Sequence, residues 1–127
     1  MDQNTKFTFS QIKYIICLYR LSQDGYGIKN VELASALGLS KPSVHKMLKS
    51  LADLGVVKQE ISRLVFFTDE GRALAQKYAF CSEKLSQKMA EICGSDAVSE
   101  NAICGLLADM PCDKLNELYT EKNDEKR

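Results

Sequence analysis

Basic and hydroxyl side chains cluster between residues 40 and 50 of this 127-residue chain, with no acid among them. Lysines neutralise phosphates and release counterions, and Ser43 and Lys46 have donors that can reach base edges. Ser40 can help to bind a phosphate at a helix N-terminus, and Arg63 can reach a phosphate or the minor groove. The candidate DNA-binding residues are Ser40, Lys41, Pro42, Ser43, His45, Lys46, Lys49 and Arg63.

Three helices are predicted to position this cluster. Thr8 and Gln11 have the spacing of a capping box, and an apolar face then runs from Ile12 to Tyr19. A second helix is predicted over residues 29–37, with Val31, Leu33, Ala34 and Leu37 inward, and Leu39 is expected to enter the core. Gly38 permits the left-handed turn, and a third helix over residues 41–54 begins at a Ser40 cap.

A hairpin is predicted directly after the third helix. β-Branched and aromatic residues favour strands over 56–59 and 64–67, and the tip at 60–63 is short. Helix, helix, glycine turn, helix and hairpin is the order of a winged helix-turn-helix, whose second paired helix lies in the DNA major groove. Lysines on one helix are usually only a solvated face, but this order of elements favours DNA binding.

The rest of the chain is predicted to be helical. Thr68 caps a long helix that ends at Gly94, and shorter helices follow over 96–108 and 113–122. An apolar stripe on the long helix ends at Ile92 and is either core or dimer seam. We therefore expect a mainly α protein with a small β-hairpin, in which residues 1–70 form a winged helix-turn-helix domain and 71–127 a helical dimerisation region. Small units seldom bury enough surface alone, which favours a shared homodimer core.

Composition excludes several classes of protein. There are 17 basic and 17 acidic residues, so any attraction to nucleic acid must be local. No apolar run can span a bilayer and the N-terminus does not resemble a signal peptide, so we expect a cytoplasmic protein without membrane contact. Five cysteines without a CxxC pair argue against disulfides and a zinc ribbon. No catalytic motif is present, and we expect no enzyme.

At these residues the sequence resembles a known family. Residues 31–75, VELASALGLSKPSVHKMLKSLADLGVVKQEISRLVFFTDEGRALA, are similar to the DNA-binding half of iron- and manganese-dependent repressors of the diphtheria-toxin-repressor type. The resemblance extends over roughly residues 10–118 and includes YIICLYRL at 14–21. It implies a homodimer paired through the helical region and a bound divalent metal that orders the dimer for operator binding.

The resemblance departs from the family at the metal ligands. The first-helix ligand position falls near Lys13 and Ile16, which are poor donors, and a family histidine aligns with Ser82. In the stretch CGLLA, Cys104 keeps one ligand position, but Leu107 and Ala108 replace a glutamate and a histidine.

A divalent metal needs several converging donors, and Glu100 and Cys104 are only weak candidates. We therefore expect that no cofactor is bound and that metal dependence has been lost, with a non-standard manganese or iron site as the alternative.

Three other interpretations remain open. A regulator of the multiple-antibiotic-resistance type also combines a winged helix with helical dimerisation. A winged-helix module that binds protein would suit the net charge of zero and the acidic C-terminal region. A thiol-based sensor would need an exposed cysteine near cations, and Lys84 could neighbour Cys81.

Overall fold

The computed structural model describes residues 6–22, 25, 27–61, 63–95 and 97–125, with side chains to residue 120. The elements in chain order are α1 (Phe9–Leu21), β1 (Ile28–Lys29), α2 (Asn30–Leu37), α3 (Lys41–Asp53), β2 (Val57–Gln59), β3 (Leu64–Phe67), α4 (Asp69–Cys93), α5 (Glu100–Asp109) and α6 (Cys112–Glu125). This order confirms the predicted fold class, a mainly α chain with an N-terminal winged helix-turn-helix and a helical C-terminal region.

The chain divides into two compact units, one of Tyr14–Gln76 and one of Asp2–Lys13 with Lys77–Arg127. The boundaries fall inside α1 and α4, so each long helix contributes to both units. The division of the chain into a DNA-binding domain of residues 1–70 and a dimerisation region of residues 71–127 stays a prediction.

The helix-turn-helix forms because apolar side chains recur on the inner faces of α2 and α3. Leu33, Val44, Leu48 and Leu51 are completely buried. Gly38 ends α2 in the left-handed conformation at φ 67°, as predicted, and its N–H bonds to α2 carbonyls.

Two side chains predicted to be in this core are exposed instead. Val31 lies in the first turn of α2 and is 49% exposed, because the helix begins at Asn30 and this turn faces a surface groove. Leu39 is 45% exposed. Leu39 follows the left-handed Gly38, and its N–H donates to the Ala34 carbonyl. The chain has therefore already left α2 at Leu39.

A three-stranded antiparallel sheet in the order β1-β3-β2 forms the wing. Val57 pairs with Phe67 and Gln59 with Val65 in the predicted hairpin. β1 was not predicted, because a two-residue strand has no periodicity of its own. It exists because Ile28 pairs with Val65 and Lys29 with Leu64.

The second unit packs α6 and the N-terminal segment against the middle of α4. The Phe80 and Tyr119 rings meet edge to face at 5.7 Å, and Phe7 meets Tyr78 at 6.2 Å. Lys77 Nζ donates to Asn116 Oδ1 at 3.2 Å. These contacts tie three separate segments of the chain together.

Two expected helix boundaries in this unit need correction. α5 begins at Glu100 and not near residue 96, because Ser99 provides the cap by accepting from Ala102 N at 3.2 Å. α6 begins at Cys112 and continues to Glu125, beyond the predicted end at 122. The apolar stripe of α4 was expected to be either core or dimer seam, and Ile92 at its end is 76% exposed, so Ile92 is not part of the core of this chain.

Within the described residues, no helix is both long enough and apolar enough to cross a membrane.

Candidate nucleic-acid interface

The exposed face of α3 carries most of the predicted DNA-binding residues. Burial of Val44, Leu48 and Leu51 fixes the rotation of the helix about its axis. The opposite face is exposed and holds Lys41, Pro42, Ser43, His45, Lys46 and Lys49. The sequence placed all six outward or at the start of the helix, and the structure brings them together on one surface.

The start of α3 is held by two serines. Ser40 Oγ accepts from Ser43 N at 3.3 Å and donates to Ser43 Oγ at 2.9 Å. Pro42 occupies the first turn, where the missing N–H costs nothing. The proton of Ser40 is therefore directed to Ser43, which leaves the Ser43 hydroxyl as the outward donor of the pair.

The wing places Arg63 beside the start of α3. Arg63 follows the hairpin tip, where its N–H bonds to the Glu60 carbonyl at 2.9 Å and Glu60 N bonds to the Leu64 carbonyl at 3.0 Å. The backbone of Arg63 is left-handed at φ 67°, and it is the only such non-glycine residue among those described. Side chains other than glycine adopt this conformation at a cost of roughly 1 kcal/mol or more.

A groove of about 550 Å³ joins the wing to the helix-turn-helix. Its lining residues are Lys29, Asn30, Val31, Lys41, Pro42, His45 and Arg63. Three of these side chains are cationic, a fourth is the single histidine of the chain, and none is a carboxylate. The groove is thus an electropositive concavity within the first unit.

Sequence reasoning missed three residues of this groove. The groove includes Lys29, Asn30 and Val31 because β1 pairs with β3. This pairing places Lys29 opposite Leu64, the residue that follows Arg63. Asn30 Oδ1 is buried and has no hydrogen-bond partner. The only sequence signal was the basic Lys29 at the start of α2.

The weak metal candidates lie one turn apart on α5. Cys104 is completely buried, whereas Glu100 is exposed. Among the described residues, no three His, Cys, Asp or Glu side chains converge where they could hold a metal ion. A divalent transition metal needs such convergence, so this donor set does not fit the family's metal.

Cys81 is unsuited to the thiol-sensor interpretation. The side chain is completely buried, and its Sγ donates to the Leu115 carbonyl at 3.8 Å. Burial raises the pKa of Cys81 to about 11, although Lys77 and Lys84 oppose that shift. Desolvation therefore outweighs the nearby cations, and the reactive thiolate is disfavoured.

Comparisons with known proteins agree with this geometry. The IclR helix-turn-helix domain matches residues 18–60. The transcriptional regulator MntR of Salmonella typhimurium is 49% identical over 49 residues, which is 39% of this chain and 31% of that protein. The matched segment therefore spans about a third of that relative.

Solved structures extend the likeness to most of the chain. The manganese regulator SloR has a TM-score of 0.65 at 19% identity and covers 87% of this chain and 53% of its own. The metal-dependent transcriptional regulator MtsR has a TM-score of 0.68 at 17% identity, covering 89% and 53%. At this identity the likeness shows a shared fold.

The fold and the α3 surface define the class, a winged helix-turn-helix of the kind found in transcriptional regulators. The 49-residue match to a transcriptional regulator agrees with the resemblance drawn from the sequence, and the solved structures add a shared fold.

Proposed function

We propose that this chain is a sequence-specific, DNA-binding transcriptional regulator that acts as a homodimer. The observation that carries the proposal is the convergence of Lys29, Lys41, His45 and Arg63 around one groove. Phosphate neutralisation supplies most of the affinity of such surfaces, while exposed donors read the bases.

The dimensions of α3 suit the major groove. Lys41, His45 and Lys49 follow one another at steps of four residues and share one face of the helix. An α-helix with its side chains is about 10–12 Å across, which matches the width of about 12 Å of the major groove of B-DNA. Lys46 and Ser43 lie beside this row on the exposed face and would face base edges, while Arg63 would contact phosphate or the minor groove at the flank.

Two observations on the second unit support a homodimer. Ile92 on α4 and Leu106 on α5 are 76% and 43% exposed. A partner subunit that covered these two side chains would remove apolar surface from water. A symmetric dimer would present two α3 helices about 34 Å apart to a pseudo-palindromic site.

The proposal includes DNA binding that does not depend on a bound manganese or iron ion. Buried Cys104 and exposed Glu100 lack a third converging donor in the part of the chain that the structure describes. We therefore expect operator binding without added manganese or iron. Regulation by a metal at a non-standard site is the alternative.

Selection of genomic DNA fragments by the purified full chain tests the proposal. One arm contains a chelator and the other contains manganese or iron. The same palindromic site in both arms supports a metal-independent regulator. Enrichment only with metal would overturn metal independence and point to a donor set that includes Cys104.

A module that binds protein is the second candidate function, favoured by the net charge of zero. Enrichment in neither arm would overturn DNA binding and favour this module. A cross-linking comparison of the wild type with Lys46→Ala/Lys49→Ala would then show whether the α3 face contacts a protein.

A further inference from the structure

The tip of the wing carries an apolar side chain with no packing partner. Ile61 is fully exposed at 104% of its reference area, more than any other large apolar residue among those described. The next most exposed, Ile92, lies on a helix of the second unit. A single exposed apolar side chain is ordinary on a protein surface, so the meaning of Ile61 depends on what lies beside it.

The same tip holds Arg63 in a strained backbone conformation. Arg63 has φ 67°, where glycine would be less strained, and its N–H closes the turn onto the Glu60 carbonyl. A strained residue that the surrounding bonds keep in place is a common feature of functional sites. Only one residue separates the exposed isoleucine from the strained arginine.

An arginine beside an exposed aliphatic side chain is the chemistry of minor-groove recognition. Arginine is attracted by the negative potential of a narrow minor groove, and an aliphatic side chain can wedge between base pairs and unstack them. A hairpin tip can enter a groove of about 6 Å that would not admit a helix. Arg63 lines the same groove as Lys41 and His45, so the tip lies beside the start of α3.

We propose that Ile61 is a wedge that enters the minor groove flanking the site read by α3 and bends the DNA there. This inference rests on the proposed DNA-binding function. Pyrimidine–purine steps are the most easily kinked, so the wing would favour such a step beneath Ile61 without any hydrogen bond to a base. The partner is thus a deformable duplex, read in part by its shape.

Charge at the tip limits how the wing can approach. Glu60 is exposed beside Ile61, and its carboxylate would be repelled by phosphates. Arg63 offsets that charge, so the tip contributes little net attraction. We therefore expect the contribution of Ile61 to DNA affinity to come from apolar contact and to be independent of salt concentration.

The test uses the full chain and the duplex that the wild type selects from genomic fragments. Ile61→Ser removes the apolar wedge, and Ile61→Met keeps one, with no change of charge in either variant. Energy transfer between dyes at the duplex ends measures bending, and 2-aminopurine at the flanking step reports unstacking. Affinity is measured over a range of salt concentrations.

We expect the wild type and Ile61→Met to bend the duplex and to raise 2-aminopurine fluorescence. Ile61→Ser should lose both signals and bind about 3- to 10-fold more weakly with an unchanged salt slope. Equal bending by Ile61→Ser, or binding by the wild type without bending, would overturn the wedge and leave the DNA-binding proposal standing. If the wild type selects no duplex, the proposed function itself fails.

A thermal melt completes the test. Ile61→Ser should melt at the wild-type temperature, because the side chain is fully exposed. A lowered melting temperature would show that Ile61 packs in solution, which contradicts a free wedge.

Discussion

The Thr68 hydroxyl donates a 2.7 Å hydrogen bond to the carbonyl oxygen of Gly55. Gly55 follows the end of α3 and Thr68 follows β3, so this bond joins the two ends of the hairpin segment next to the recognition helix. The same hydroxyl accepts from Gly71 N at 2.9 Å and thereby caps α4. One side chain thus fixes the wing, the end of α3 and the start of α4.

Removal of this hydroxyl should destabilise the first unit. Thr68→Val keeps the shape of the side chain but leaves Gly71 N without its cap and the Gly55 carbonyl without its donor. We expect a loss of about 1–3 kcal/mol in the free energy of unfolding, measured by urea denaturation. Thr68→Ser retains the hydroxyl and should lose much less. A loss in Thr68→Ser with none in Thr68→Val would show that the methyl group, and not the hydrogen bonds, matters.

Replacement of Arg63 should weaken DNA binding without lowering the stability of the fold. Arg63→Gly relieves the left-handed strain at φ 67°, although glycine also gains freedom in the unfolded chain. We expect unchanged or higher stability, by up to about 1 kcal/mol, together with weaker binding to the selected duplex. Arg63→Lys keeps both the charge and the strain and should retain more affinity. If Arg63→Gly binds as tightly as the wild type, Arg63 does not belong to the interface.

The α3 lysines should control the salt dependence of binding. Lys46→Ala/Lys49→Ala removes two exposed charges per subunit and four per proposed dimer, so the slope of log K against log salt should become shallower by about 3 to 4. The matched control is Lys88→Ala/Lys114→Ala, which removes two charges whose side chains are 62% and 60% exposed in the second unit. A control that lowers affinity as much as the α3 variant would mean that binding follows net charge and not the proposed face.

Local patterns predicted the elements around the site well. The Thr8–Gln11 capping box forms both of its hydrogen bonds, at 2.9 and 3.2 Å. Gly38 takes the expected left-handed turn, and β3 has the expected bounds. These features depend on residues within four positions of one another, so the sequence contains the information directly.

Features that depend on distant residues were missed. The pairing of Lys29 with Leu64 creates β1 and brings Lys29, Asn30 and Val31 into the groove. Helical periodicity wrongly placed Val31 in the core. Periodicity shows which residues share a helix face, but it does not show whether another element packs against that face. The left-handed backbone of Arg63 could not be predicted either, because arginine, unlike glycine, does not favour that conformation.

Charges at the two exposed apolar side chains of the second unit should separate the proposed dimer. Ile92→Glu/Leu106→Glu places two carboxylates on side chains that are 76% and 43% exposed, so the isolated subunit should still fold. We expect a dimer for the wild type and a monomer for the variant in analytical ultracentrifugation. Ile61→Glu, on the wing, is the control and should remain dimeric. A variant that stays dimeric would place the interface elsewhere.

Stability should fall at alkaline pH because two buried acids must ionise. Burial raises the pKa of Cys81 from 9.0 to about 11 and that of Tyr78 from 10.0 to about 12. The folded state therefore holds both protons more tightly than the unfolded chain, so stability is full below about pH 9 and is lost as the pH rises through 11 to 12. Urea midpoints measured from pH 8 to 11.5 should show this decline. Tyr78→Phe should reduce its upper part and Cys81→Ala its lower part, and identical curves for both variants and the wild type would assign the alkaline loss to other groups.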